Sequence, residues 1–309
     1  MIRTAAVPLL LALAVAARGA GADFSLQQVG NGVWAAISSD TGKAGANAGF
    51  VIGDDGVAVI DTFEDPRPAA DLLAEIRKIT KQPIRFVINT HYHLDHVNGN
   101  DVFAAAGATI VAQRNMRAWV RTENLKFLGP DPKPESKARV QSLTLPNVVY
   151  DTRVDLYLGT RRIEVRYYPG HTGGDSVISV PDARVVFGGD LLWKDHVPNL
   201  IDATTVAWAK TLDAMPADYG ASTWIPGHGG VATDSDVRAF RQYLVDLGAA
   251  VRNGQAEGKS GDALVQAILP GLRASYGKWG FFEDFAKANI LQTAQEFSGT
   301  KKVPIPADR

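Results

Sequence analysis

Four metal-ligating side chains fall within six residues, in Thr90-His91-Tyr92-His93-Leu94-Asp95-His96. This cluster constrains the fold more than any other feature. Ile84 to Asn89, directly before it, reads as a buried strand, so the cluster sits where that strand ends. His91 and His93 are two residues apart and point to one side of an extended backbone. Asp95 and His96 are adjacent and diverge from that direction. One short turn of this kind serves two metals a few ångströms apart. The chain has no cysteine, which removes disulfides, thiolate ligands and a cysteine nucleophile. Neutral imidazole and carboxylate suit zinc, iron or manganese.

The other histidines repeat the pattern. His171 follows a strand in Pro169-Gly170-His171-Thr172-Gly173, and His228 lies in Ile225-Pro226-Gly227-His228-Gly229. Asp190 is expected at the end of a strand in Phe187-Gly188-Gly189-Asp190. Each sits beside glycines that permit tight turns. His196 stands apart from these patterns and reads as a surface or loop residue.

The elements expected around these residues alternate between strands and helices. Val33 to Ile37 is a first strand. The turn Asp54-Asp55-Gly56 joins Gly49–Gly53 to Val57–Asp61 as a hairpin. Asp65-Pro66 opens a helix with apolar positions at Leu72, Leu73, Ile76 and Ile79. Val97–Ala106 and Met116–Leu128 read as helices around a strand at Ala108–Ala112, and the proline-rich segment 129–145 reads as a long surface loop. Further strands are expected at Val154–Leu158, Ile163–Tyr168, Val177–Val180, Val185–Phe187 and Ser222–Ile225. Helices are expected at Thr204–Met215 and over most of Asp234–Gln295.

Met1-Ile2-Arg3, the apolar run Ala5–Ala17 and Ala20-Gly21-Ala22 together read as an export leader over residues 1–22, ahead of one domain over 23–309. A periplasmic or secreted protein with no stable membrane anchor follows. The chain has 32 Lys and Arg against 33 Asp and Glu, a net charge of −1. Removing the leader takes away Arg3 and Arg18 and no acid, leaving −3. That balance disfavours nucleic acid as a partner and points to a small-molecule substrate. The oligomeric state is open.

The order His91-x-His93-x-Asp95-His96, His171, Asp190, His228 resembles that of the metallo-β-lactamase superfamily, from about Trp34 to Gly230. The resemblance implies an α+β fold, an αββα sandwich of two face-to-face mixed sheets with helices outside. It implies that His91, His93 and His171 hold one metal, that Asp95, His96 and His228 hold a second, and that Asp190 bridges them. It also places Asp61 behind the ligands. The aspartate at 190 is similar to that of glyoxalase II and lactonases, where dedicated metallo-β-lactamases usually have cysteine or serine. A narrower similarity is to exported zinc metallohydrolases associated with quinoprotein systems.

The chemistry so implied is hydrolysis by a pair of zinc ions sharing a hydroxide, with Asp95 orienting it and moving its proton. The target bond is an ester, lactone, thioester or amide. Iron and manganese are alternative metals. Three other readings stay open: a true β-lactamase, a mono-iron persulfide dioxygenase, and a non-catalytic exported metal-binding accessory protein. Trp34, Tyr92, Trp119, Phe127, Trp193 and the 129–145 loop are the candidate walls of the substrate site.

Overall fold

The computed structural model describes residues 23–220 and 222–306. The expected leader, residues 1–22, lies outside the described residues. Two sheets carry the molecule. The first holds β1 (Phe24–Gly30), β2 (Val33–Ser38), β3 (Ala48–Ile52), β4 (Val57–Ile60), β5 (Ile84–Ile88), β6 (Thr109–Gln113) and β7 (Val148–Tyr150), side by side in that order. β1 to β4 run antiparallel, and β4 to β7 run parallel. The second sheet has the order β12 (Thr223–His228), β11 (Val185–Trp193), β10 (Ser176–Val180), β9 (Arg161–Tyr167), β8 (Arg153–Leu158). Its pairs are antiparallel except β11 with β12.

The strands are apolar because the inner faces pack on each other. Val51, Ala58, Ile88 and Val111 from the first sheet meet Val165, Ile178, Val185 and Phe187 from the second in one buried cluster. Helices cover the outer faces. α1 (Pro66–Ile79) starts where Asp65 accepts from the Arg67 amide and Pro66 supplies a preset first turn. It buries Leu72, Leu73 and Ile76 on the first sheet. Each such side chain stabilises by about 1.5–3 kcal/mol. Two short helices, α2 (Leu94–Val97) and α3 (Asn100–Ala105), follow β5, and α4 (Arg114–Trp119) follows β6. Beyond α5 (Pro134–Gln141), the helices α6 (Thr205–Tyr219), α7 (Asp234–Ala256), α8 (Gly261–Tyr276) and α9 (Phe282–Phe297) pack on the second sheet around Trp208, Trp224, Phe240, Leu247 and Ile290. The result is the expected αββα sandwich. Among the described residues, no helix is long and apolar enough to cross a membrane.

Several local expectations need correction. A strand, β1, precedes the one expected first, and β7 was missed. The segment 97–106 is broken at Asn98-Gly99. A side chain on Gly99 would place its Cβ 2.2 Å from the Thr62 carbonyl, so the backbone is pressed against a neighbouring loop there. The helix expected over 116–128 ends at Trp119 and resumes as a 3-10 helix over Glu123–Leu128. The segment 129–145 is not a plain loop. Pro134 occupies the first turn of α5, where a missing N–H costs nothing, and Val140 and Leu143 pack beneath it.

Candidate metal centre

The centre forms at one edge of the sandwich, where β5, β11 and β12 deliver their C-terminal ends. His91 and His93 follow β5. Asp95 and His96 lie in the single turn of α2, so successive side chains fan apart. His171 comes from the β9–β10 loop, and His228 is the last residue of β12. Asp190 does not end its strand as expected. It lies inside β11, which continues to Trp193, at a point where the pairing with β12 shifts register. Gly189 takes φ +50 there, and Gly227 faces the carboxylate so closely that a Cβ on it would lie 1.8 Å from Asp190 Oδ1. Both glycines are needed for Asp190 to turn into the centre.

All seven residues come together in two groups. One comprises His91, His93, His171 and Asp190, the other Asp95, His96 and His228. Within each, one ligating atom per residue lies within 4.8 Å of every other. The carboxylate of Asp190 spans them. Its Oδ2 is 3.2 Å from His171 Nε2 and 3.7 Å from His91 Nε2. Its Oδ1 is 3.1 Å from His96 Nε2 and 3.5 Å from His228 Nε2. Asp95 Oδ2 completes the second group, 3.3 Å from His228 Nε2 and 3.5 Å from His96 Nε2.

Other side chains fix the rings from behind. Asp61 follows β4 in the left-handed region, φ 55, and accepts from the Thr90 amide and hydroxyl. Its Oδ2 is 2.8 Å from His96 Nδ1. Thr90 Oγ1 is 3.1 Å from His91 Nδ1. Asp202 was not anticipated. It is buried in the loop before α6, accepts from Tyr92 and from Lys126 Nζ at 2.6 Å, and lies 3.3 Å from His93 Nε2. A lone acid in an irregular loop carries no signal in the sequence.

The donor set fits metal ions. His91 Nε2, His96 Nε2, His228 Nε2 and Asp190 Oδ1 are buried with no hydrogen-bond partner. Each such atom ordinarily costs about 1–3 kcal/mol, and four converging on one space call for cations. The electrostatics agree. Burial, reinforced by neighbouring histidines, holds His91 well below the usual imidazole range and takes His171 down to about 3. In the second group, burial is outweighed by Asp190, Asp95 and Asp61, which raise His96 well above that range. Burial is likewise outweighed at His228 by Asp190 and Asp95, which lift it to about 9. Without metal, the second group thus draws protons to balance its carboxylates.

A cavity of about 770 Å³ opens onto both groups. Of the expected walls, Phe127 and Trp193 line it, whereas Trp34, Tyr92, Trp119 and the 129–145 segment do not. Tyr92 and Trp119 are core residues packed against each other, ring centroids 5.8 Å apart. Trp34 stacks on Phe50 at 5.9 Å. The missed wall comes from the helical C-terminal region, in Phe281 and Phe285. His196 is half-buried, lines the cavity and lies outside both ligand groups.

Residues 41–231 match the sequence model of the metallo-beta-lactamase superfamily. A linear primary-alkylsulfatase from a Pseudomonas species is 24% identical over 72% of this chain, and the match spans half of that enzyme's length. A hydroxyacylglutathione hydrolase from Brucella anthropi is 28% identical over 68% of this chain and 71% of its own. Among solved structures, a metallo-beta-lactamase from Pontibacter korlensis has a TM-score of 0.60 at 23% identity, covering 72% of this chain and 99% of that one.

Proposed function

The chain belongs to the metallo-β-lactamase superfamily, and from that premise we propose that it is a hydrolase, a binuclear zinc enzyme cleaving carboxylic esters, lactones or thioesters, as its hydrolase relatives support. The observation that carries this reading is the Asp190 carboxylate, one oxygen facing His91 and His171 and the other facing His96 and His228. In this reading His91, His93 and His171 hold one ion, Asp95, His96 and His228 the other, and Asp190 both.

Bound there, zinc supplies Lewis acidity toward a carbonyl oxygen and lowers the pKa of water from 15.7 to about 7. The chain's own residues do the rest. Asp95 lines the cavity as well as the second group, and the carboxylate oxygen it does not turn toward His96 and His228 would hold a proton during transfer to the leaving group. Asp61, Thr90 and Asp202 keep His96, His91 and His93 in one tautomer and one orientation. Trp193 stacks on His228, centroids 3.9 Å apart, and shields that ring from solvent. We also place the protein outside the cytoplasm, periplasmic or secreted, on the apolar run and small-residue pattern of residues 1–22.

The test is metal quantification by mass spectrometry coupled to turnover of a lactone, a thioester, a carboxylic ester and an alkyl sulfate. Two zinc ions per chain with chelator-sensitive acyl hydrolysis are expected. One iron per chain, or sulfate-ester turnover alone, overturns the reading.

A further inference from the structure

The cavity beside the centre has two kinds of wall. One is aromatic. Phe127 sets its ring edge-on to His93, centroids 5.0 Å apart, and Phe281 does the same to His228 at 5.9 Å. The two come from distant segments, the 3-10 helix and the start of α9, and flank the two metal groups. Both stay unusually open for phenylalanine, 37% and 39% exposed. Phe281 is held there by a backbone at φ 60, a left-handed conformation unfavourable for a bulky residue. Phe285 and Trp193 extend this surface, each within contact range of Phe281. Exposed rings held in strained or open positions around a reacting centre are surface for an apolar group to cover.

The other wall is acidic. Asp40 and Glu64 line it, and among the described residues neither pairs with a cation. No lysine or arginine lines the cavity among the described residues. Two cations adjoining the lining are engaged elsewhere: Lys126 with Asp202 and Glu123, Lys194 with Val231 O and Asp236. An anionic group on a substrate, held away from the metal groups, would find two carboxylates and no lysine or arginine among the lining residues.

We propose that this cavity selects uncharged substrates bearing an alkyl or aryl group, seated between Phe127 and Phe281, and rejects those with a distal negative charge. This deepens the hydrolase reading and rests on it for the reaction, but the selectivity belongs to the cavity and has its own readout.

Two experiments separate the claims. The first is binding to the zinc-loaded protein of N-phenyl-1-naphthylamine and of 1-anilinonaphthalene-8-sulfonate, which share a ring system and differ by a sulfonate. Fluorescence titration should give at least tenfold tighter binding of the uncharged dye. Phe127→Ser should weaken that binding severalfold, and so should Phe281→Asn, chosen because asparagine tolerates φ near +60°. Asp40→Lys should narrow the gap between the dyes. The second compares kcat/KM for 4-nitrophenyl hexanoate with that for the 4-nitrophenyl monoester of adipic acid, expected to favour the former at least tenfold. Equal or tighter binding of the sulfonate, or dye binding indifferent to both phenylalanine substitutions, overturns the proposal. Absence of any ester turnover with dye selectivity intact overturns the hydrolase reading and leaves the cavity assignment standing.

Discussion

Asp202 Oδ2 lies 3.3 Å from His93 Nε2, and this turns Nδ1 of the same ring to within 3.0 Å of His171 Nε2. His93 therefore faces the centre through the nitrogen opposite to that used by His91, His96 and His228. The carboxylate is itself held by Tyr92 and Lys126, and His93 first and then these partners, outweighing burial, keep it well below the usual range. Replacing Asp202 with Asn should leave the fold intact and weaken metal binding at the His91-His93-His171 group by about 10–100-fold. Chelator competition measures it, with circular dichroism as the fold control. Unchanged affinity would remove Asp202 from any role in orienting His93.

Asp190→Asn should lower acyl turnover by about 10²-fold or more while thermal unfolding of the metal-free protein stays cooperative. An amide offers one oxygen and no charge to two groups that now share two oxygens and a full negative charge. Loss of the carboxylate also leaves His96 and His228 short of their main counter-charge. Metal content should fall with activity. Full metal content and full turnover in the variant would show that Asp190 does not link the groups.

His228→Ala removes one of three side chains from the second group and none from the first. With excess zinc the variant should retain about one tightly held ion per chain where the parent holds two, because the second group is left with Asp95, His96 and only the one carboxylate oxygen of Asp190, which also serves the first group. Mass spectrometry under native conditions reads the count directly. Two tightly held ions in the variant would mean that the groups are drawn wrongly.

The site was legible in the sequence because ligand chemistry admits few residue types, and without cysteine only histidine and carboxylate remained. His91, His93, Asp95 and His96 stand out by spacing alone. The hairpin of β3 and β4 and the start of α1 were legible for local reasons, an Asp-Gly turn and an Asp-Pro cap. The strand β7 has three residues and is held by pairing with β6, which no local pattern announces. α5 was hidden by prolines whose tolerance depends on position in the helix. Phe281 and Phe285 sit in a helical pattern where aromatics usually mean core, and only the chain's return to the sheet edge puts them at the cavity.

The metal-free protein should lose stability as pH rises from 6.5 through 9. At His228, burial is outweighed by Asp190 and Asp95, raising the ring from 6.5 to about 9. A group that binds its proton more tightly when folded stabilises fully below 6.5 and loses that contribution as pH rises through 9. His171 acts oppositely: burial lowers it to about 3, so stability falls as pH drops from 6.5 through 3. At Asp95, burial is outweighed by His96 and His228, which lower the carboxyl to about 2, and its contribution is lost as pH falls from 3.8 through 2. Denaturant unfolding of chelator-treated protein at pH 6.5 and 9 should show the decline. In the zinc-loaded protein the alkaline decline should vanish, because a coordinated imidazole carries no proton to lose. A metal-free protein as stable at pH 9 as at 6.5 would contradict the raised His228.

A simple uncharged thioester should be a better substrate than a cephalosporin. The acyl carbons of both accept the same attack, so the difference lies in what leaves and what else the molecule carries. A thiolate departs readily, whereas a lactam releases an amide nitrogen that must be stabilised or protonated as the bond breaks. A cephalosporin also carries a carboxylate, and the cavity offers it Asp40 and Glu64 but no lysine or arginine among the described residues. A like charge beside these two exposed carboxylates costs on the order of 1 kcal/mol, or severalfold in kcat/KM. The comparison uses one zinc-loaded preparation, a chromogenic cephalosporin and a thioester monitored by thiol release. A chelator-sensitive cephalosporin kcat/KM ten times that of the thioester would reverse the assignment and make the protein a β-lactamase.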